Sequence, residues 1–207
     1  GSKLALVQTD YVIDKLKRAY PDDDFKAVII KTTGDLEQKK ALDKIGSKGI
    51  FVNEIEDELL SGKIHMAVHS MKDMPDEPAA GLTFAKAWKR EDPRDVLVLK
   101  NAASLDELPY GAVIGTGSKR RKYQLLKLRP DLKVVGIRGN IDTRLRKLYD
   151  GEIIYEEVAD NTVNNSEIAN EKQNKNNEYR LDGIVLAAAG IKRIGRDSEI
   201  TQYFSED

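Results

Sequence analysis

Short apolar runs alternate with amphipathic segments along most of this chain. Ser2 precedes apolar residues at helical spacing, which predicts an N-capped helix that ends at Pro21. A second helix is predicted at 50–60, with inward positions at Phe51, Ile55, Leu59 and Leu60. Strands are predicted at 25–31, 64–68, 82–88, 96–99, 112–114, 133–137 and 183–187, and helices at 118–128, 140–149 and after Gly190. This alternation is typical of an α/β fold with a partly parallel sheet.

Composition changes twice along the chain. A shift near residues 90–98 predicts a boundary between an N-terminal lobe at 1–92 and a second α/β lobe at 93–207. Residues 153–179 are rich in asparagine and contain few apolar groups to offset the entropy of ordering. We therefore expect 153–179 to be a flexible surface insertion.

Bulk composition limits the function classes. The 207 residues are 40% hydrophobic, enough for a core, and no apolar run approaches the ~20 residues that span a membrane. The chain has no cysteine, which excludes disulfides and thiol catalysis within it, and it shows no secretory leader. These features predict a cytoplasmic protein without membrane partners.

A net charge of −1 conceals a strongly basic segment. Residues 117–147 contain eleven lysines and arginines but two acids. Such a segment can bind nucleic acid, phosphate or a small polyanion. Tyr123 is its single aromatic residue, which argues against nucleic acid because bases stack on interleaved aromatic rings.

The sequence His69-Ser70-Met71-Lys72-Asp73-Met74-Pro75 follows the predicted strand 64–68. Polar groups at this rim of an α/β sheet often bind ligands, and a carboxylate beside a lysine can transfer protons. The alternative is a solvated strand end, with Asp73 capping a helix or paired with Lys72. Two histidines without neighbouring ligands do not predict a zinc site, so His69 is expected to be a hydrogen-bonded strand-end residue.

Two further strand-to-helix junctions carry basic clusters. Gly115-Thr116-Gly117-Ser118-Lys119-Arg120-Arg121 follows strand 112–114, and Arg138-Gly139-Asn140-Ile141-Asp142-Thr143-Arg144-Leu145 follows strand 133–137. Guanidinium groups bind carboxylates bidentately, and helix N-termini add backbone donors. The alternative is a solvated basic helix face, which is our interpretation of Arg146 and Lys147.

Together with 44–51, 90–95 and 186–193, these motifs resemble the hydroxymethylbilane synthase, or porphobilinogen deaminase, family in order and over nearly the whole chain. The resemblance implies a two-lobed architecture like that of periplasmic binding proteins, with mixed sheets and a cleft between the lobes. It implies a transferase of heme biosynthesis that joins four porphobilinogen molecules head to tail, releasing ammonia. The growing polypyrrole is built on a covalent dipyrromethane cofactor, in an enzyme expected to be monomeric.

The resemblance also implies roles for individual residues. Asp73 matches the catalytic carboxylate, and Lys44 and Lys48 flank a loop expected near the cleft. The positions that match cofactor- and substrate-binding residues are Ser2, Ser70, Lys72, Thr116, Ser118, Arg120, Arg121, Arg138, Gly139, Arg144 and Arg193.

The chain departs from the family pattern in lacking the cysteine, in a third domain, that carries dipyrromethane. We therefore expect this chain alone to be inactive. The alternative function is a non-catalytic two-lobed module that binds an anionic small molecule, since a fold does not determine function. Asp73 distinguishes the two, because a carboxylate would repel the ligand of a pure anion binder.

Overall fold

The computed structural model describes residues 2–30, 32, 52–156 and 177–205. Contacts divide the chain into two compact units. The first unit comprises 1–93 and 188–197, and the second comprises 94–187 and 198–207. Each unit is built on its own set of helices or strands.

The second unit contains a five-stranded mixed sheet. Its strands are β1 (Asp95–Leu99), β2 (Val113–Gly115), β3 (Lys133–Val135), β6 (Gly183–Ala187) and β7 (Gln202–Tyr203), and their order across the sheet is β3-β2-β6-β1-β7. β2 pairs in parallel with β3 and β6, whereas β1 pairs antiparallel with β6 and β7. The predicted α/β class with a mixed sheet is thereby confirmed.

The hydrophobic core of the second unit lies on this sheet. Strand β1 is buried at Val96 to Leu99, and β6 is buried from Gly183 to Leu186. Helices α3 (Lys119–Leu128) and α4 (Ile141–Tyr149) turn Leu125, Leu145 and Leu148 inward. Each such apolar side chain stabilises the fold by about 1.5–3 kcal/mol on burial. The packed sheet thus holds in place the strand ends after which α3 and α4 begin.

Most element predictions from residue 94 onward are confirmed, with two corrections. Helix α5 (Ala188–Arg193) begins directly after β6 rather than after Gly190. The ends of the expected flexible insertion form an antiparallel hairpin of β4 (Ile154–Glu156) and β5 (Asn177–Tyr179). Paired backbone hydrogen bonds order these ends despite their polar sequence. Residues 157–176 of that insertion lie outside the described residues.

The regular elements that the structure describes in the first unit are helices. The unit contains α1 (Lys3–Ala19), α2 (Asn53–Leu60), a 3₁₀ helix (Met71–Asp73) and α5. Ser2 caps α1 by accepting a hydrogen bond from the Ala5 backbone N–H at 3.2 Å, and α1 ends just before Pro21. The predicted cap and helix end are confirmed.

The predicted strands of the first unit are wrong as far as the structure describes them. Residues 24–30, 64–69 and 82–88 contain no strand, because a strand requires a hydrogen-bonded neighbour and these segments have none among the described residues. Ile29 is accordingly 64% exposed. The prediction that Leu60 faces inward is wrong, because its side chain is 53% exposed. Val52, just before the helix, is buried instead, with 1% of its surface exposed. Phe51 lies outside the described residues.

Among the helices that the structure describes, none is long and apolar enough to cross a bilayer.

Candidate functional site

The turn between β2 and α3 is built by two hydroxyl groups. Thr116 is buried, and its Oγ1 accepts a hydrogen bond from the Ser118 backbone N–H at 3.2 Å. Ser118 is the N-cap of α3, and its Oγ accepts from the Arg121 backbone N–H at 3.4 Å. Both hydroxyls therefore shape the turn that presents Arg120 and Arg121.

A second turn, before α4, orients Arg144. Gly139 adopts φ +105°, a conformation that L side chains rarely adopt, and its carbonyl oxygen accepts from Arg144 Nε at 2.8 Å. Asn140 caps α4 by accepting from the Thr143 backbone N–H at 2.9 Å. The glycine thus fixes the direction of an arginine by way of its own carbonyl.

Arg121, Arg138 and Arg144 lie close enough at these turns for their charges to interact. Burial, and next the positive charges of Arg121 and Arg138, lower the pKa of Arg144 below its ordinary value. Arg138 has no ion-pair partner in the described part of the chain. The Nε of Arg121 is buried and lacks a hydrogen-bond acceptor there. Such an accumulation of donors and positive charge is suited to an anionic ligand.

A carboxylate that sequence reasoning missed binds two of the predicted arginines. Asp95 Oδ2 lies 2.7 Å from Arg120 Nη2, and Asp95 Oδ1 lies 2.8 Å from Arg121 Nη2. Burial would raise the pKa of Asp95, but the hydrogen bonds and charges of Arg121 and Arg120 together hold it below its ordinary value. The sequence signals for Asp95 were its place at the end of the 90–95 motif and immediately before an apolar run.

In the first unit, the structure gathers the residues of the His69–Pro75 motif on and beside the 3₁₀ helix. Asp73 and Lys72 are exposed, and the Asp73 backbone N–H donates to the Ser70 carbonyl oxygen at 2.9 Å. The Ser70 hydroxyl donates to Gln8 Oε1 at 2.9 Å, which ties the motif to α1. The alternative in which Asp73 pairs with Lys72 is wrong, because Asp73 forms no ion pair among the described residues.

His69 corrects another expectation. His69 does not end a strand, because the segment before it has no strand neighbour among the described residues. Its side chain also makes no hydrogen bond within the described residues. Burial lowers the pKa of His69, opposed by the negative charges of Asp73 and then Glu56, which raise it. The negative charge of Asp73 therefore acts on His69 within the same motif.

The remaining predicted residues are more scattered. Arg193 ends α5, and the neighbouring Lys192 Nζ lies 2.7 Å from Asp92 Oδ2. Arg146 is exposed and pairs with Glu152 at 3.3 Å, which confirms its interpretation as part of a solvated face, whereas the Lys147 side chain, which pairs with Glu152 at 3.4 Å, is only 21% exposed. Lys44 and Lys48 lie outside the described residues.

Comparison with known proteins places these motifs in one family. A family model described as porphobilinogen deaminase, dipyromethane cofactor binding domain, matches residues 1–207. Porphobilinogen deaminase of Lachnospira eligens is 58% identical over the whole chain, which covers 61% of that relative. The Clostridioides difficile and Clostridium novyi proteins of the same name are 52% and 50% identical and are covered over 60% and 61% of their lengths. The chain, which spans about 60% of the length of these relatives, belongs to the porphobilinogen deaminase family.

Proposed function

We propose that this chain forms the cofactor- and substrate-binding part of a hydroxymethylbilane synthase. The complete protein would join four porphobilinogen molecules head to tail on a dipyrromethane cofactor and release one ammonia at each step. The observation that carries the proposal is the convergence of Arg121, Arg138 and Arg144 in a chain of this family. The same proposal includes a cytoplasmic monomer with two lobes like those of periplasmic binding proteins and a cleft between them.

The residues present fit dipyrromethane. Each pyrrole ring carries acetate and propionate groups, so the cofactor is a tetra-anion at neutral pH. Arg121 contributes a buried Nε that has no acceptor among the described residues, and Arg138 contributes a guanidinium without an ion pair there. Guanidinium groups bind carboxylates bidentately and stay charged at all working pH values. When bound, dipyrromethane supplies the pyrrole carbon to which the first substrate unit is joined.

Several further residues would bind the cofactor or the lengthening product. We assign this role to Arg120, Arg144 and Arg193 through ion pairs, and to Ser2, Ser70, Lys72, Thr116, Ser118 and Gly139 through hydrogen bonds. Every added pyrrole brings two more carboxylates, so the cations must offset a charge that grows with each cycle. Lys44 and Lys48 would belong to a loop that covers the substrate.

Asp73 is the carboxylate that we assign to the chemistry. It is exposed on the 3₁₀ helix, where a ligand can reach it. In each cycle Asp73 delivers a proton to the aminomethyl nitrogen, the C–N bond breaks and the nitrogen leaves as ammonia. Asp73 stabilises the positive charge left on the methylene carbon. After the new C–C bond forms, the α-proton of the attacking pyrrole passes to an Asp73 carboxylate oxygen, which regenerates the acid for the next cycle.

The test uses the complete protein with Asp73→Asn and, as a matched control, Asp76→Asn. Asp76 is an exposed carboxylate three residues away. We expect Asp73→Asn to lower turnover of porphobilinogen by at least about 100-fold, the usual loss for a proton-transfer group. Intact mass should still show the dipyrromethane adduct in both variants, because the arginines that hold it are unchanged.

Two results would contradict the proposal. Normal turnover by Asp73→Asn would remove Asp73 from the mechanism. A complete wild-type protein that neither carries dipyrromethane nor consumes porphobilinogen would leave the non-catalytic anion-binding module as the better description.

A further inference from the structure

Sheet direction brings Asp95 to the ligand-binding rim. β1 runs antiparallel to β6, while β2 runs parallel to β6, so the first residue of β1 lies at the edge where β2 and β6 end. Asp95 is paired in register with Ala187, the last residue of β6. An acid at the start of one strand therefore stands beside the turn that begins α3.

The Asp95 carboxylate divides its two oxygens between two arginines. Oδ1 accepts from Arg121 and Oδ2 accepts from Arg120, at 2.8 and 2.7 Å. The Asp95 and Arg121 side chains are each only 14% exposed, whereas Arg120 is 60% exposed. On this exposed first turn Arg120 Nη1 also donates to Gln124 Oε1 at 2.7 Å, and the Asp95 contact adds a second restraint at Nη2.

The position of Asp95 is itself rigid. The residues that follow it, Val96 to Val98, are completely buried in the central part of the sheet. Arg121 receives a further restraint from the Val185 carbonyl oxygen, which lies 3.5 Å from its Nη1. Side chains fixed before a ligand arrives lose less conformational entropy on binding.

We propose that Asp95 is a positioning residue, which orients Arg120 and Arg121 for the carboxylates of an anionic ligand. This inference rests on the proposed function, since it gives these two arginines a ligand to bind. Asp95 acts through the arginines and does not contact the ligand. Its negative charge also lets Arg121 remain close to Arg138 and Arg144 when no ligand neutralises them.

Asp95→Asn tests the proposal in the complete protein. The amide keeps the shape of Asp95 but presents an N–H donor to one of the two arginines, which releases that arginine. We expect the affinity for benzenehexacarboxylate, measured by calorimetry, to fall about tenfold, as for the loss of one charge-assisted hydrogen bond. The KM for porphobilinogen should rise about tenfold while kcat changes less than about threefold, because binding is lost equally in ground and transition states.

Asp131→Asn is the matched control. Asp131 forms a comparable pair with Arg129, with Oδ1 2.8 Å from Nε, at the opposite end of α3. About 15 Å of helix separates the two pairs. We expect Asp131→Asn to lower the melting temperature while leaving the probe affinity and KM at their wild-type values.

Wild-type probe affinity in a folded Asp95→Asn protein, or tighter binding, would overturn the proposal. If Asp95→Asn gives no cooperative melt, Asp95→Glu replaces it, because the longer side chain keeps the charge but displaces both arginines. Wild-type affinity in that variant would equally overturn the proposal. A wild-type protein without turnover would refute the proposed function alone, since the probe comparison would still decide the role of Asp95.

Discussion

Gly139 combines an unusual backbone conformation with a close contact, so its replacement by alanine has a calculable cost. A Cβ at this position would lie 2.6 Å from Thr143 Cγ2 and 2.8 Å from Thr143 Cβ. Carbon atoms pack best at about 3.5–4.0 Å, so Thr143 must move. Thr143 is held in place by its backbone hydrogen bond to the Asn140 cap, which resists that movement.

The two costs can be added. A non-glycine residue at φ +105° costs about 1–3 kcal/mol, and forcing an extra methyl into a packed position costs about 1–3 kcal/mol more. Gly139→Ala should therefore destabilise the fold by about 2–6 kcal/mol. Arg144 should also lose its alignment, because its Nε donates to the Gly139 carbonyl oxygen.

Gly111→Ala separates conformational strain from the clash. Gly111 has φ +76°, but a Cβ there would meet no atom within 4 Å. This control should cost about 1–2 kcal/mol, the strain of a left-handed residue alone. We would compare urea unfolding and calorimetric binding of benzenehexacarboxylate for both variants of the complete protein. Binding should weaken only in Gly139→Ala.

Thr143→Ser provides a second check on the clash. In the Gly139→Ala background it removes the methyl group at 2.6 Å but leaves the Cβ at 2.8 Å, so stability should recover only in part. If Gly139→Ala proves no more destabilising than Gly111→Ala, the steric argument is refuted.

Three further predictions follow from the same unit. Arg138→Glu should weaken benzenehexacarboxylate binding at least about tenfold by calorimetry. Arg146→Glu should leave this affinity unchanged, because Arg146 lies on a solvated face. An equal loss of affinity in both variants would mean that Arg138 makes no specific contact with the probe. Ser118→Ala removes the α3 cap and should lower the free energy of unfolding in urea by about 1 kcal/mol. An unchanged urea midpoint would show that this cap does not stabilise the fold. The pKa of Asp95 is lowered by folding, so its contribution to stability is present above the unfolded value of about 3.9 and is lost as pH falls through the folded value. The stability difference between wild type and Asp95→Asn should therefore stay constant from about pH 8 to 5 and shrink below about pH 4; a difference that grows toward acid would reverse this sign.

The sequence predicted the second unit well because local pattern and tertiary environment agree there. The run Gly183–Ala187 is apolar and bounded by a turn, and the structure makes it the buried strand β6 with the same limits. Ser118 and Asn140 precede periodic segments, and the structure uses both as helix caps. In these places, a window of about ten residues contains the deciding information.

The first unit was predicted less well, because a strand depends on a neighbour that is often distant in sequence. Residues 64–68 are as apolar as those of a strand, yet no described segment pairs with them. Leu60 was placed inward by helical periodicity, although α2 buries Val52, one residue before its first turn. Helical periodicity identifies the apolar face of a helix, but it does not identify the other elements that bury that face.

The candidate site shows the same limit for charged groups. Arginines at two strand ends were identified from sequence, but their carboxylate partner lies 25 and 26 residues away. Only the antiparallel course of β1 brings Asp95 to them. The order of strands in a sheet is a global property that motifs alone do not determine.

The central place of β6 has a consequence for synthesis on the ribosome. β1 and β2 occupy opposite sides of β6, which follows them in the chain by some 70 to 90 residues. β2 and β3 can pair early, but β1 has no described partner until β6 or β7 has emerged. The apolar face of β1 must therefore wait uncovered while residues up to 187 are translated, at about 5–20 residues per second. A sheet assembled around its late strand makes the nascent chain, rather than the finished fold, the state most in need of a chaperone.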